Sequence, residues 1–268
     1  MEIHFLYPNS KTKALTLSYD DGQIYDRRLV DILNKYGMKG TFHLNSGLLD
    51  QEGFVTAKEI KELYRGHEIA CHGVRHNYLH HLPKELLMHE LWDDRKRLEE
   101  LSESIVVGMS YAFGEYSGEV VDCLSQIGIS YARTVNSNNR FSIPVDFLRW
   151  EPTCHHNGGL LDKAEKFLNI PGYMKLPLFY IWGHSFEFER ENNWDLIENF
   201  CKTVSNQEDV WYVTNLDYYN YIMAMKRLVF SLDSTLVYNP SGLAVWFMCG
   251  EKVVTVQPGE TKRLEASL

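Results

Sequence analysis

The chain has 268 residues, with 27 basic and 36 acidic side chains and a net charge of -9. That charge has the wrong sign for the counterion release that drives nucleic-acid binding, so no polynucleotide partner is expected. Hydrophobic residues at 44% and charged residues at 24% are ordinary globular proportions and exclude disordered and fibrous classes.

In chain order, short apolar runs rich in β-branched and aromatic residues are each followed by helical spacing, the signature of βα units. Ala14 to Tyr19 reads as a strand and Tyr25 to Tyr36 as a helix closed by Gly37. Strands follow at Gly40 to Leu44, His67 to Cys71 and Ile105 to Met109, separated by helices at Thr56 to Tyr64 and Lys84 to Leu101. A helix at Gly118 to Gln126 leads to strands at Ile129 to Val135 and Phe147 to Pro152. Then come helix Leu161 to Asn169, strand Leu176 to Trp182, helix Trp194 to Ser205, strand Val210 to Thr214 and helix Asp217 to Lys226.

These elements predict an α/β fold, a distorted barrel of about seven or eight βα units with its site at the C-terminal ends of the strands. After Arg227 the pattern changes to short strands at Leu228 to Ser231, Thr235 to Tyr238, Ala244 to Met248, Lys252 to Val256 and Thr261 to Leu264. Turn chemistry at Asn239-Pro240-Ser241-Gly242 and Gln257-Pro258-Gly259-Glu260 separates them. The expected domains are a barrel over 1–227 and a small antiparallel β appendage over 228–268, packed on the barrel.

No apolar run approaches the ~18 residues needed to span a bilayer, and Met1 to Pro8 lacks a basic region followed by an apolar stretch. No membrane contact and no standard export signal are expected. Cys71, Cys123, Cys154, Cys201 and Cys249 are odd in number and contain no C-x-x-C pair, which fits buried, reduced thiols and a cytoplasmic address.

Three signals carry chemistry, and each falls at a predicted strand end. Ser18-Tyr19-Asp20-Asp21-Gly22 presents adjacent carboxylates that point to different sides of a strand, so one can bind a metal while the other takes a proton. Taken alone, Asp-Asp-Gly fits a β-turn at least as well. His72-Gly73-Val74-Arg75-His76 places two imidazoles four residues apart, where turn-like backbone can bring both to one ion. His184 follows the apolar run from Leu176 to Trp182, and its late position argues for a separate role or for a hydrogen-bonded structural one.

The order Asp-Asp, His-x-x-x-His and an apolar strand ending in His resembles the polysaccharide deacetylase group, the NodB-homology or carbohydrate esterase family four proteins. The resemblance spans Thr12 to Asp217, through Leu17 to Gly22, His72 with His76, and Leu178 to His184. It implies Asp21, His72 and His76 as ligands of a divalent ion, Asp20 as general base, His184 as general acid, and the Phe113 backbone N–H as oxyanion donor. Zinc is the expected ion for an Asp-His-His set, while cobalt, nickel and manganese also suit mixed oxygen and nitrogen ligands. The implied reaction is hydrolytic removal of acetyl groups from an N-acetylated or O-acetylated carbohydrate, with a small molecule or oligosaccharide as substrate.

Two motifs depart from the family. Its Arg-Pro-Pro-aromatic-Gly segment falls on Ser110-Tyr111-Ala112-Phe113-Gly114, so the arginine that braces the base is replaced by Ser110. Arg133 in the next predicted strand is the expected substitute, against a structural role for that residue. The fourth motif, a carboxylate segment supporting the catalytic histidine, has no clear match; Glu151 is the expected substitute, and His155-His156 reads as a solvated loop pair, the alternative being extra polar groups at the mouth. Tyr111, Arg133, Trp182 and Glu187 are expected to contact substrate, since sugars stack on aromatic faces and hydrogen-bond to charged groups. Two other readings stay open: an amidase acting on a non-sugar linear or cyclic amide, and a metal-containing sugar-binding barrel without turnover.

Overall fold

The computed structural model describes residues 2–171 and 176–264. A short strand, β1 (Ile3–Leu6), precedes β2 (Lys13–Asp21), helix α1 (Asp26–Lys35), β3 (Gly40–Leu44), α2 (Ile60–Leu63) and β4 (Glu68–Cys71). Helix α3 (Lys84–Ser102), β5 (Gly108–Ser110), α4 (Gly118–Gln126), β6 (Tyr131–Arg133), β7 (Cys154–His155) and α5 (Leu160–Leu168) continue the alternation. Then come β8 (Leu178–His184), α6 (Ser185–Arg190), α7 (Trp194–Val204), β9 (Val210–Tyr212) and α8 (Asn215–Lys226).

Strands β2 to β9 form one eight-stranded sheet in the order β6-β5-β4-β3-β2-β8-β7, with β9 also pairing β2. Every pairing in it is parallel. Strand β2 sits at the centre, with β8 along residues 14–20 and β3 and β9 sharing residues 17–21 and 13–15. A strand paired on both edges and covered on both faces reads as a continuous buried run, and β2 is buried from Lys13 to Asp20.

Odd and even residues of β2 nevertheless serve different sides, as the two-residue period requires. Leu15, Leu17 and Tyr19 pack into the main apolar core with Leu29, Leu33, Leu98 and Phe200 from the helices. The even residues belong to a polar file: Thr16 donates to Asn215, Ser18 meets His43, and Asp20 lies beyond. Asn215 also donates to Tyr180 and receives Thr16, so buried polar groups here are paired with one another as their desolvation demands.

The expected strand at Phe147 to Pro152 is not formed. Asp146 instead accepts the Leu148 N–H and winds residues 147–149 into a 3-10 turn. Trp150 then makes a single parallel bridge to Arg133, and β7 pairs Cys154 and His155 with Ile181 and Trp182. This irregular segment links the two sheet edges where β6 and β7 do not themselves pair. The helix expected over Thr56 to Tyr64 shortens to Ile60–Leu63, because Glu59 accepts the Thr56 N–H and holds the preceding residues in a turn.

The C-terminal strands are β10 (Val229–Phe230), β11 (Leu236–Tyr238), β12 (Val245–Cys249), β13 (Lys252–Val256) and β14 (Thr261–Arg263). They form two three-stranded sheets, β1-β12-β13 and β10-β11-β14, around Val237, Phe247, Cys249, Val256 and Leu264. Residues 3–6, grouped with the barrel in the sequence reading, thus pair with 246–249. The Tyr221 hydroxyl of α8 donates to the Leu6 carbonyl and accepts the Trp246 N–H, tying these sheets to the barrel. All five cysteines are buried and unpaired, and no described helix is long and apolar enough to cross a membrane.

Two positions in this scaffold give measurable consequences. A Cβ on Gly108 would stand 2.1 Å from the Tyr131 hydroxyl, which donates to Glu68 at 2.6 Å. Gly108→Ala is therefore expected to cost about 1–3 kcal/mol in a urea melt; wild-type stability would contradict this packing. Burial pushes the Glu68 carboxyl from its ordinary 4.5 up to about 7, against the opposing hydrogen bonds of Tyr131, the Leu216 N–H and Thr41. The native state then holds this proton more tightly than the unfolded chain, so its contribution is complete below pH 4.5 and is lost as pH rises through about 7. Glu68→Gln should flatten part of the fall in melting temperature across that window, and an unaltered fall would contradict the assignment.

Candidate active site

The strand ends of β2, β3, β4, β5, β6 and β8 bring the polar residues together. Register aligns Asp20 with His43 on one side and His184 on the other, and Ser110 with Arg133. Asp21 would point away from Asp20 in a regular strand, but its φ of 82° breaks the alternation. Both carboxylates consequently reach His72, whose Nε2 lies 3.5 Å from Asp21 Oδ1 and 3.9 Å from Asp20 Oδ2. Left-handed backbone at a non-glycine residue costs about 1–3 kcal/mol and clusters at functional sites; His76 and Phe113, with φ of 57° and 59°, share it.

Asp21, His72 and His76 each offer one ligand atom, all within 4.8 Å of one another. Asp21 Oδ1 and His72 Nε2 are buried without a hydrogen-bond partner, an expensive state for polar atoms that an ion would relieve. His72 Nδ1 faces the Ser110 carbonyl at 2.9 Å, which assigns the proton to Nδ1 and leaves the Nε2 lone pair for a metal. The donor set, its missing partners and this tautomer fit a divalent cation.

The loop that carries both imidazoles is held from α3. Asp94 accepts the N–H groups of His72, Gly73 and Ser46, and Glu90 accepts that of Arg75. Asn45 donates to the carbonyls of His72 and Gly73. Glu90 and Asp94 stand four residues apart on the buried side of α3, a helical spacing whose partner the sequence does not reveal.

Asp20 is buried among donors. Arg133 Nη2 donates to its Oδ2, Ser110 Oγ donates to its Oδ1 at 3.1 Å, and His43 Nδ1 lies 3.4 Å from Oδ1. Burial pushes this carboxyl up, but Arg133, His72 and His43 outweigh it and hold the group well below the usual carboxylate range. Arg133 is wholly buried, donates also to the Thr134 carbonyl, and stacks over Trp182 at 4.6 Å. The expected contact between Arg133 and substrate is corrected: its guanidinium is committed to Asp20, below the site surface.

At the other side of the mouth, His184 has its Nδ1 3.2 Å from Glu187 Oε2, off the line of a straight hydrogen bond. Glu187 lies three residues into α6 and also accepts the His184 backbone N–H, the reciprocal contact of a helix start. Burial lowers the His184 pKa, and Glu187 with Asp20 and Asp21 more than offsets it, leaving it raised. Glu187, expected at the substrate, is therefore the carboxylate beneath His184. Glu151 is exposed and does not fill that place. His155 and His156 are not a solvated pair: His156 is fully buried, and both imidazoles face Glu187.

Tyr111 is also corrected as a substrate contact, being buried with its hydroxyl donating to the Leu148 carbonyl. Trp182 lies between Arg133 and His184, its ring 5.7 Å from that of His184. Phe113 is exposed, stacks on Tyr78 at 3.8 Å and sets its edge against His76 at 4.4 Å. Sequence reasoning missed Tyr78, His43 and Asp94; only His43 carried a signal, a polar residue in register with Asp20 inside an apolar strand.

The architecture is thus a parallel βα barrel with a buried carboxylate beside an Asp-His-His donor set at the strand ends. Comparison with known proteins narrows it. The family model "Polysaccharide deacetylase" matches residues 8–132. Two proteins named "putative polysaccharide deacetylase" are similar: YxkH of Bacillus subtilis (strain 168), 26% identical over 43% of this chain and 42% of its own, and a Mycobacterium smegmatis structure. The latter is 18% identical, with a TM-score of 0.62 over 83% of this chain and 94% of its own. A family 4 acetyl xylan esterase from Clostridium thermocellum, in complex with a cobalt ion, is 16% identical with a TM-score of 0.54 over 78% and 91%. This chain spans less than half the length of the curated relative. Over residues 8–132 the chain is similar to the polysaccharide deacetylases, and the fold matches solved structures of that name.

Proposed function

We propose that the protein is a metal-dependent hydrolase that removes acetyl groups from N-acetylated or O-acetylated carbohydrate. The observation that carries this reading is the pairing of a preformed Asp21-His72-His76 donor set with a buried, cation-braced carboxylate, Asp20, beside it. Asp21, His72 and His76 would hold the ion, zinc first among the candidates, which when bound polarises the acyl carbonyl and acidifies water. The cobalt in the acetyl xylan esterase supports metal use without fixing which metal this chain takes.

Asp20 takes the proton of the attacking water. Burial would raise its pKa, but Arg133, His72 and His43 keep it ionised, and Ser110 helps orient it for that task. The Phe113 backbone N–H is assigned to the developing oxyanion, where a fixed peptide dipole needs no reorganisation. His184 gives a proton to the leaving nitrogen or oxygen through Nε2, since Nδ1 faces Glu187. Glu187 thereby fills the place that the divergent fourth motif leaves open.

The mouth also supports a sugar. Tyr78 and Phe113 form an exposed stacked ledge next to His76, and Trp182 with Phe186 flanks His184, so apolar ring faces meet both sides. The binding-only reading rested on the absence of a bracing arginine, and Arg133 removes that reason. Acetate release from a panel of N-acetyl and O-acetyl sugars tests the proposal. Free acetate is the expected product; hydrolysis of simple amides without acetate from any sugar would favour the amidase reading instead.

A further inference from the structure

Three imidazoles converge on one carboxylate oxygen outside the Asp21-His72-His76 set. Glu187 Oε2 lies 2.9 Å from His155 Nε2, 3.2 Å from His184 Nδ1 and 3.4 Å from His156 Nε2. Neighbouring residues on a strand point to opposite faces, but β7 ends at His155 and the chain turns, with the Gly158 N–H returning to the His155 carbonyl. That turn puts His155 and His156 on the same side, with their ring centroids 4.3 Å apart.

His156 is the unexplained member. Its ring is fully buried, flat against Phe188 at 4.2 Å and Tyr19 at 5.9 Å. Gly183 makes room for it, since a Cβ there would stand 2.0 Å from His156 Nδ1. Neither ring nitrogen has a hydrogen-bond partner. Burial without a partner favours the neutral ring, and a neutral ring carries only one N–H. If that proton is on Nδ1, the Nε2 lone pair confronts the anionic Oε2 and the two repel. If it is on Nε2, the bond to Oε2 is too far off line to form. A cation between the two atoms removes the conflict.

We propose that His155, His156 and Glu187 form a second divalent-cation site of the zinc class, distinct from the Asp21-His72-His76 set. Their ligand atoms lie within 4.8 Å of one another, a span that an ion with bonds of about 2.0–2.2 Å to nitrogen and oxygen fills. Arg190 lies 3.4 Å from Oε1, leaving Oε2 for the ion. His155 is partly exposed, so the site opens to solvent on its side. Its Nδ1 accepts the Asn157 N–H, a bond given up as the ring proton moves to Nδ1 and frees Nε2 for the ion, and water would complete the coordination. Oε2 has a lone pair for the ion while it still faces His184 Nδ1 at 3.2 Å, so occupancy pins the carboxylate under His184 without displacing it.

The test is metal content of the full-length protein by mass spectrometry after dialysis against Zn²⁺, with Co²⁺ absorption as a second readout. Wild type should bind two equivalents, Asp21→Ala/His76→Ala one, and that variant with His155→Ala added none. Glu187→Gln, nearly the same shape, should reduce wild type from two equivalents to one with an unchanged circular dichroism spectrum. A single equivalent in wild type, lost with Asp21→Ala/His76→Ala, would overturn the proposal and leave only a hydrogen-bonded relay under His184. Two equivalents persisting in both His155→Ala and Glu187→Gln would place the second ion elsewhere and overturn it equally. Acetate release takes no part in this readout, so failure of the proposed reaction and failure of this site are separately visible.

Discussion

Asp20→Asn lowers kcat for acetate release by about 10²- to 10⁴-fold, the usual contribution of a positioned general base, while the zinc bound per chain stays at the wild-type level. The separation follows from geometry. Asp21 Oδ1 belongs with His72 and His76 in the donor set, whereas Asp20 is held by Arg133, Ser110 and His43. An amide at this position keeps the shape and loses the basic oxygen. Loss of metal together with activity would show that Asp20 is a ligand and that the division of labour between the two carboxylates is wrong.

The second large effect belongs to Arg133. Its guanidinium and the Asp20 carboxylate are both buried, and removing one partner of such a pair costs about 3–5 kcal/mol because the other charge is left uncompensated. For a chain of this length Arg133→Met should lower the melting temperature by on the order of 10 °C and reduce acetate release by at least as much as a misplaced base implies. Arg133→Lys should recover only part of either quantity, since an ammonium lacks the fork that reaches Asp20 and the Thr134 carbonyl together. Asp20→Asn combined with Arg133→Met should recover stability and no activity, because both charges are gone. Wild-type melting and turnover in Arg133→Met would reduce the contact to a structural coincidence.

Much of the barrel was legible because its signals are local. The apolar run of β8 and the helical spacing of α1, α3, α4 and α7 read directly from the chain, and the motif residues fell at strand ends where a βα barrel builds its site. What escaped depends on contacts between distant residues. Strand β1 pairs with β12 across almost the whole sequence, and four residues of ordinary composition carry no sign of such a partner. The segment from Phe147 to Pro152 has strand-like composition, yet Asp146 caps a turn within it. Glu187 looked like a substrate carboxylate because two of its three imidazole neighbours, His155 and His156, come from the end of a strand earlier in the chain. His156 looked solvated because pattern alone cannot reveal that Gly183, one strand away, clears a buried space for its ring. The left-handed turn at Asp21 was equally invisible, although Gly22 after it marked the strand's end.

The most direct test of the metal-dependent reading is acetate release from the preferred acetylated sugar before and after the ion is stripped by a chelator, with metal content followed by mass spectrometry. Activity should disappear in the stripped protein, return when Zn²⁺ is restored, and fail to return in His76→Ala. Full activity in protein shown to be metal-free would contradict the account at its centre.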